Sequence, residues 1–511
     1  MEQLGAVGAS THHLRALASL RALLYGPRPM AVRIFNTLTG EKQPLEPLRP
    51  PAVGMYVCGP TVYDMSHVGH ARVYVAFDVV ARHLRRRGYR LTYVRNFTDV
   101  DDKIIKRAHE LGQKPSDVSE RFIREYLTDM AALGVRRADV EPKVTEHIPE
   151  IVALIEKLVA RGLAYPAAGD VYYAVRLFPD YGKLSRRNLD DLKAGARVEV
   201  GETKRDPLDF ALWKAAKPGE PQWPSPWGPG RPGWHIECSA MSEKYLGESF
   251  DIHAGGKDLV FPHHENEIAQ SEGASGKPFA RIWMHNGFVT LDQEKMSKSL
   301  GNFFTIRDVT AKFEPVALRL FLLSTHYRSP INFSDQALGE AERRLDYFYE
   351  TLAKADALLA GATPEPEPAT AESVTAAFDE AMDDDFNTPG ALAALSEPLK
   401  KLNELTERPG KAAQRQESQS IAAALLRAVR EAGAVLGLCE RPPPEYLAER
   451  RVHLAARKQL DVARVEALIG DRASARRAKD FAKADAIRGE LAALGVEIMD
   501  GPAGTSWKIA G

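Results

Sequence analysis

Apolar residues recur along this chain in two alternating rhythms. Residues 53–57 are an apolar run that ends at Cys58 and is closed by Gly59-Pro60, which predicts a buried strand followed by a turn. Residues 69–87 then place Val73, Ala76, Phe77 and Val80 on a helical period and stop at Gly88, the pattern of an amphipathic helix with a glycine terminator. A second strand is predicted over 91–96 and a helix over 101–111. Strand, turn, helix and strand in that order predict a βαβ unit, and with it a parallel sheet. The alternation returns over 234–330, with strands at 250–253 and 282–289 around a helix at 263–271. Between these halves, residues 112–233 hold two amphipathic helices (118–133 and 148–161), a strand at 171–175 and a Pro/Gly/Trp-rich stretch at 217–233. They read as an insertion that splits a nucleotide-binding fold. From residue 336 the pattern is helical: 336–359, a Pro/Glu linker over 361–370, then 371–383, 389–406 and 418–436, up to the boundary Arg441-Pro-Pro-Pro-Glu445. The tail, 446–511, is basic and helical before Leu494-Gly-Val-Glu-Ile-Met499 and a Gly/Pro turn. No internal repeat is found.

Composition narrows this picture. A chain of 511 residues exceeds one hydrophobic core, so about three or four domains are expected. Formal net charge is −1, which argues against a uniformly basic nucleic-acid coat but leaves room for local clusters, at 82–90, 450–458 and 472–483. Three cysteines are too few for a disulfide framework and point to a reducing, cytoplasmic setting. No run of about 18 apolar residues exists, so no membrane partner is expected. Residues 1–29 carry a weak helix with Arg15, Arg21 and Arg28 but no secretory core. Met30-Ala-Val-Arg-Ile-Phe35 reads as a natural start, so 1–29 are expected to be an upstream extension, disordered or the product of a misassigned start codon.

Four side chains are candidate metal ligands. Cys58 ends the first strand, Cys238 lies in Gly233-Trp-His-Ile-Glu-Cys238, and His263 and Glu267 are four apart in Pro262-His-His-Glu-Asn-Glu267, a spacing that shares one helical face. Two thiolates, an imidazole and a carboxylate form a legitimate tetrahedral zinc set. Two buried free cysteines are the competing reading. The tetrapeptide His67-Val-Gly-His70 opens a helix, where free N–H groups and the positive helix end favour phosphate. Gly69 would let a nucleotide approach the backbone. Lys295-Met-Ser-Lys-Ser299 follows a strand-like segment, and its two lysines and two hydroxyls suit the β- and γ-phosphates of a transferring nucleotide.

An HxGH signature followed far downstream by KMSKS resembles the class I aminoacyl-tRNA synthetases. Tyr56-Val-Cys-Gly-Pro-Thr-Val-Tyr-Asp64, Gly233-Trp-His-Ile-Glu-Cys-Ser-Ala-Met241 and Asp251-Ile-His-Ala-Gly-Gly-Lys-Asp-Leu-Val-Phe-Pro-His-His-Glu-Asn-Glu267 resemble the cysteinyl-tRNA synthetase family in particular, from about residue 30 to the C-terminus. The resemblance implies an α/β fold: a Rossmann-type catalytic domain (30–111 and 234–330) split by a connective insertion (112–233), then an α-helical bundle (331–440) and a small C-terminal anticodon-binding domain (446–511). It implies that Cys58, Cys238, His263 and Glu267 hold one zinc ion per chain, while His264 and Glu265 point elsewhere by helical spacing. It implies ATP contacts at His67, Gly69, His70, Gly255, Gly256, Asp258 and Lys298, catalytic roles for His67, His70, Lys295 and Lys298, and Trp234 closing over the substrate.

The implied activity is ligation of L-cysteine to its cognate tRNA through a cysteinyl-adenylate, with Mg²⁺ accompanying ATP, by a monomer. Cysteine and serine differ by one atom, and a shape-based pocket gains only about 1–3 kcal/mol from so small a change. A borderline-soft metal binds thiolate far better than hydroxyl, so a zinc–sulfur bond would discriminate without an editing domain. The nearest rival reading, a cysteine-activating ligase for an amino-sugar thiol precursor, lacks a counterpart of residues 446–511. A non-catalytic tRNA-binding paralogue typically loses a signature, and both signatures are intact here. Lys103-Ile-Ile-Lys106 matches a motif associated in this family with a PLP-dependent persulfide-forming activity, although a solvated helix pair is the simpler reading. Trp507 either stacks an unpaired base or caps a small core.

Overall fold

Four parallel strands organise the N-terminal half, in the spatial order Ala280–Asn286, Phe250–Gly256, Ala52–Val57 and Arg90–Arg95. Every neighbouring pair is parallel. Such a sheet needs crossover cover on both faces, which is why Val53, Met55 and Val57 pack into one core and Tyr56 into another. The chain leaves Ala52–Val57 toward Arg90–Arg95 on one side and is met by Phe250–Gly256 on the other. This is the switch point at which open α/β sheets bind ligands beyond the carboxyl ends of their strands. Cys58 and Gly256 both sit at that edge. This computed structural model describes residues 31–189, 203–291, 294–295, 303–407, 412–501 and 504–509. Residues 1–29 and Lys298 lie outside the described residues.

The first helix, Val68–Arg86, is capped by its own signature: the His67 ring accepts from the His70 N–H, and the His70 ring from the His67 N–H. The inserted segment contributes Pro115–Ala132 and Ile148–Ala160 as helices. It also forms an antiparallel sheet of Ala164–Ala167, Asp170–Tyr173, Phe210–Ala215 and Gly230–Pro232. Only the second of these strands is expected from the sequence; the others are short and carry proline, glycine or lysine, which masks the alternation.

Three further expectations are corrected. The apolar stretch 282–289 is not one strand. Ala280–Asn286 stays in the parallel sheet, whereas Val289–Leu291 pairs with Glu294–Lys295 and with Ile331–Phe333. Gly287 marks the break, because a Cβ there would lie 2.4 Å from the Ser329 backbone. The helix expected at 263–271 begins at Glu265 and runs to Ser275, preceded by an irregular turn in which Phe261 is extended. The helix expected at 389–406 is two, Thr388–Ala394 and Ser396–Glu407.

The half that holds the parallel sheet and the helical bundle share one continuous core, running from Met55 and Phe77 through Phe321 and Leu345 to Leu399 and Val429. Buried charge fixes the seam. Asp78 accepts from Arg82 Nε at 2.8 Å, Arg319 at 2.5 Å and the Arg136 N–H at 3.0 Å. Arg82 and Arg319 in turn donate to the carbonyls of Ala434 and Leu436 in the bundle. Arg86 and Arg87 pair with Asp379. The basic cluster at 82–90 is therefore largely an internal clamp. Arg72, two residues past His70, donates to the carbonyls of Leu322, Thr325, His326 and Ser329, tying the signature helix to the turn that enters Ile331–Phe333.

The C-terminal region is a third, small core. Helices Val462–Arg477 and Phe481–Ala493 pack on the hairpin Val496–Gly501 and Gly504–Ile509. Trp507 is buried there and donates its indole N–H to Glu466 at 2.7 Å, so it caps a core rather than presenting a free stacking face. The other two basic clusters are also partly committed: Arg450 and Arg457 to Glu342, Arg472 and Arg476 to Asp500. No helix among the described residues is long and apolar enough to cross a membrane.

Removing Asp78 would leave two buried guanidinium groups without their shared acid, a loss that costs about 3–5 kcal/mol when one partner of a buried pair is deleted. Asp78→Ala should accordingly lower the urea midpoint of unfolding, followed by circular dichroism, far more than Asp117→Ala on an exposed helical turn. Equal midpoints would show that the seam carries no such charge dependence.

Candidate metal and nucleotide site

Two groups of side chains meet at the carboxyl edge of the sheet. One is a buried donor cluster. Cys58 follows the strand Ala52–Val57, Cys238 lies on the helix Trp234–Leu246, and Glu267 lies in the first turn of Glu265–Ser275, with His263 just before that helix. Ligand atoms of Cys58, Cys238, His263 and Glu267 all lie within 4.8 Å of one another. The two sulfurs are 3.8 Å apart, Glu267 Oε1 is 3.5 Å from Cys58 Sγ, and His263 Nε2 is 3.0 Å from Glu267 Oε1. His263 lies in a π-helical turn that runs into this helix, one turn before Glu267, and the two meet as that spacing implies.

His264 does not point away, contrary to the helical-spacing expectation. Its Nε2 is 3.3 Å from Cys58 Sγ, and it joins Cys58, His253 and Glu267 in an overlapping donor group. His264 lies three residues before Glu267 on helical backbone, a spacing that also shares one face. Glu265 does point elsewhere, accepting from the N–H groups of Leu184 and Ser185.

Sequence reasoning also missed the outer ring of this cluster. His235 meets His263 at 2.9 Å, His253 meets Glu267 Oε2 at 2.8 Å, and His264 meets His285 at 2.8 Å. A signal existed: five of the chain's 14 histidines fall between 235 and 285. Outer partners of this kind fix the orientation and tautomer of ligating groups.

The electrostatics suit a cation. The hydrogen bond from Cys58 pulls the Cys238 thiol down to about 6, while burial pushes the Cys58 thiol up. Burial opposes charge on His263, but Glu267 and Cys238 overcome it and hold the imidazolium up to about 10. Burial likewise opposes charge on Glu267, and His253 and His263 overcome it, keeping the carboxyl well below its usual range. Burial leaves His235 and His264 neutral and lowers His285 to about 3. Two thiols, an imidazole and a carboxylate in one buried pocket are a donor set that a divalent, borderline-soft ion satisfies.

The second group surrounds an adjoining cavity of about 450 Å³, lined by Cys58, His67, Gly69, His70, Trp234, Gly256 and Asp258. Its walls connect the donor cluster to the helix signature. The His67 and His70 rings stack at 3.8 Å. A Cβ at Gly69 would lie 2.8 Å from the His67 ring, so this glycine makes room for the imidazole itself, beyond any approach by a nucleotide. Gly59 is required by closer contact still, since its Cβ would fall 1.5 Å from the Asn96 carbonyl oxygen. Trp234 stacks on His263 at 4.4 Å and remains 38% exposed, a ring over the metal donors that can still meet a ligand. Gly255, one residue before the end of its strand, lies against His264 and Leu259. Lys103 also lines the cavity. Lys295 closes the small hairpin opposite Thr290. The third cysteine, Cys439, lies apart in the bundle, and burial raises its thiol to about 12.

The chain matches three family descriptions in sequence: tRNA synthetases class I (C) catalytic domain over residues 44–343, DALR domain over 377–440, and Cysteinyl-tRNA ligase anticodon binding domain over 458–507. A cysteine--tRNA ligase of Anaeromyxobacter sp. (strain K) is 61% identical over 94% of this chain and 100% of its own. The cysteine--tRNA ligase of Geobacter sulfurreducens is 54% identical over the same shares. Among solved structures, Mycobacterium tuberculosis methionyl-tRNA synthetase in complex with methionyl-adenylate covers 77% of this chain and 92% of its own, at 16% identity and a TM-score of 0.58. That likeness establishes the class I synthetase fold. With the relatives' identity and full-length coverage, it follows that this chain belongs to the cysteine--tRNA ligase family.

Proposed function

We propose that this enzyme charges its cognate cysteine tRNA with L-cysteine in two steps at the edge of the parallel sheet. The observation that carries the reading is the juxtaposition of a buried two-sulfur donor cluster and an HxGH-lined cavity that share Cys58 in their walls. In the first step a carboxylate oxygen of cysteine attacks the α-phosphorus of ATP, and the bond to pyrophosphate breaks. In the second, a ribose hydroxyl of the tRNA's terminal adenosine attacks the cysteinyl carbonyl, the 2′-hydroxyl first as class I membership implies, and AMP leaves.

In this reading Cys58, Cys238, His263 and Glu267 hold one zinc ion per chain, with His235 and His253 orienting His263 and Glu267. When bound, zinc supplies a Lewis acid that prefers substrate thiolate to the serine hydroxyl. His67 and His70 present imidazole nitrogens to charge developing on the α-phosphate, at a helix end that favours anions. Lys295 and Lys298 neutralise the departing pyrophosphate together with Mg²⁺. Gly69, Gly255 and Gly256 leave room for the nucleotide, and Asp258 accepts from its ribose. Trp234 covers the amino acid. The domain limits read from the sequence support this division of labour, with residues 446–511 reading the anticodon. A cytoplasmic monomer completes the proposal. The amino-sugar alternative is disfavoured by the anticodon-binding match over 458–507.

If His70 and Lys298 act on the transition state rather than on bound ATP, His70→Ala and Lys298→Ala should each slow cysteine-dependent pyrophosphate exchange by about 10²–10³-fold, with little change in ATP affinity. Wild-type exchange rates in both variants would reject these roles.

Cys238→Ser should lower zinc affinity by more than the roughly 10–100-fold that loss of an outer partner costs and raise serine-dependent exchange relative to cysteine. Cys439→Ser should alter neither quantity. Metal analysis alongside exchange assays reads both; unchanged zinc content in Cys238→Ser would remove it from the ligand set.

A chain ending at Lys458 retains Arg450 and Arg457, and so the partners of buried Glu342, while losing the third core. It should form cysteinyl-adenylate at the wild-type rate and charge tRNA poorly. Full charging efficiency would reject the anticodon role of the tail.

A further inference from the structure

Tyr56 sets a phenol against the metal donors. It stands two residues before Cys58, on the strand Ala52–Val57, so the two side chains leave the same face of the sheet. That face packs into the core that also contains Cys238 and Trp283. The Tyr56 ring lies 5.4 Å from the ring of His253, which in turn holds Glu267. Tyr56 is fully enclosed, and its hydroxyl finds no oxygen or nitrogen partner. A buried hydroxyl so placed costs about 1–3 kcal/mol unless another acceptor serves it. The acceptor at hand is sulfur. Burial pushes the phenol well above its usual range, and the Cys238 sulfur adds to this more than Cys58 or Glu267 does. The hydroxyl therefore keeps its proton and remains a donor.

The other neighbours of the Cys238 sulfur cannot take that role. Asn96 reaches it at 3.8 Å, but with the amide oxygen, and the Gly59 N–H fixes that oxygen at 2.8 Å. An amide oxygen accepts and has no proton to give. Cys58, whose sulfur is 3.8 Å away, and His263 belong to the ligand set itself. Cys58 has a different outer neighbour, His264 Nε2 at 3.3 Å. Each sulfur thus meets one side chain outside the four ligands that can donate: an imidazole at Cys58 and a phenol at Cys238. A divalent ion binds cysteine as thiolate and so displaces the thiol proton. A hydrogen bond to the charged sulfur is about twice as strong as one to a neutral acceptor.

We propose that Tyr56 is a positioning residue of the metal centre, its hydroxyl donating an O–H···S hydrogen bond to the Cys238 thiolate in the ion-bound enzyme. The bond stabilises the thiolate and draws charge from its sulfur. The ion is then left more electrophilic toward a further ligand, the thiolate of the substrate. This inference rests on the zinc reading above and adds the group that tunes one of the ligands.

The test uses the full-length enzyme carrying Tyr56→Phe, which keeps the ring and removes one oxygen. Tyr93→Phe is the control, a buried tyrosine on the neighbouring strand whose ring packs into the other core. Zinc affinity, measured by competition with a chromophoric chelator, should fall about 10–100-fold in Tyr56→Phe and stay within about twofold in Tyr93→Phe. In the cobalt-loaded protein, the sulfur-to-metal charge-transfer band should move to longer wavelength in Tyr56→Phe, because a sulfur without its hydrogen bond gives up charge more readily. Added L-cysteine should bind the cobalt-loaded variant more weakly than the cobalt-loaded wild type. Wild-type zinc affinity in Tyr56→Phe would overturn the proposal. A weaker affinity with an unmoved band would do the same, because it would make Tyr56 a packing residue. Wild-type enzyme that binds no zinc would instead strike the metal assignment beneath it.

Discussion

Glu267 has no access to water, and a carboxylate so placed must be neutralised by its surroundings. Two imidazoles do this directly: His253 on one oxygen and His263 on the other. The remaining side of the pocket is closed by Cys58 and Cys238. Meeting that one requirement brings together a strand end, a long helix and an irregular turn that are far apart in the chain. The helical turn before Glu265 brings both rings to the cluster, because His263 and His264 lie four and three residues before Glu267.

The sheet makes this arrangement possible. Parallel strands end in the same direction, so Cys58 and Gly255-Gly256 reach one edge, and the helix signature follows Cys58 after a short turn. The His67–His70 stack then needs a glycine between its members, because any Cβ at residue 69 strikes the His67 ring. Arg72 extends the constraint outward by holding the turn from which Ile331–Phe333 departs, and that strand pairs with Val289–Leu291, whose hairpin partner contains Lys295. The start of the signature helix is therefore tied to the hairpin that holds Lys295 through the side chain of Arg72 and the strand pairings beyond it.

Much of this was legible beforehand. The βαβ unit around Cys58, the insertion and the helical C-terminal half all leave periodic traces, and the donor set Cys58, Cys238, His263 and Glu267 comes together as the family resemblance implies. What escaped detection has definite physical causes. His235, His253, His264 and His285 lie on four separate elements, so their convergence has no period. The break at Gly287 is imposed by the Ser329 backbone, a contact 42 positions away in the chain. The insertion's sheet is built from strands of three to six residues, too short for alternation to stand out.

Charge gives the sharpest contrast between chain and fold. The three visible basic clusters suggest RNA contact, yet several of their arginines are consumed internally. Arg82 binds Asp78, Arg86 and Arg87 bind Asp379, Arg450 and Arg457 bind Glu342, and Arg472 binds Asp500. These pairs secure the seam between catalytic half and bundle, the docking of the helix Pro443–Arg457 on Asp335–Leu359, and the terminal hairpin. By contrast, Arg186, Arg187 and Lys257, which have no carboxylate partner among the described residues, converge on one chamber. In a chain whose net charge is −1, affinity for a polyanion depends on which cations the fold leaves uncompensated, and those are set by tertiary contacts rather than by runs of basic residues.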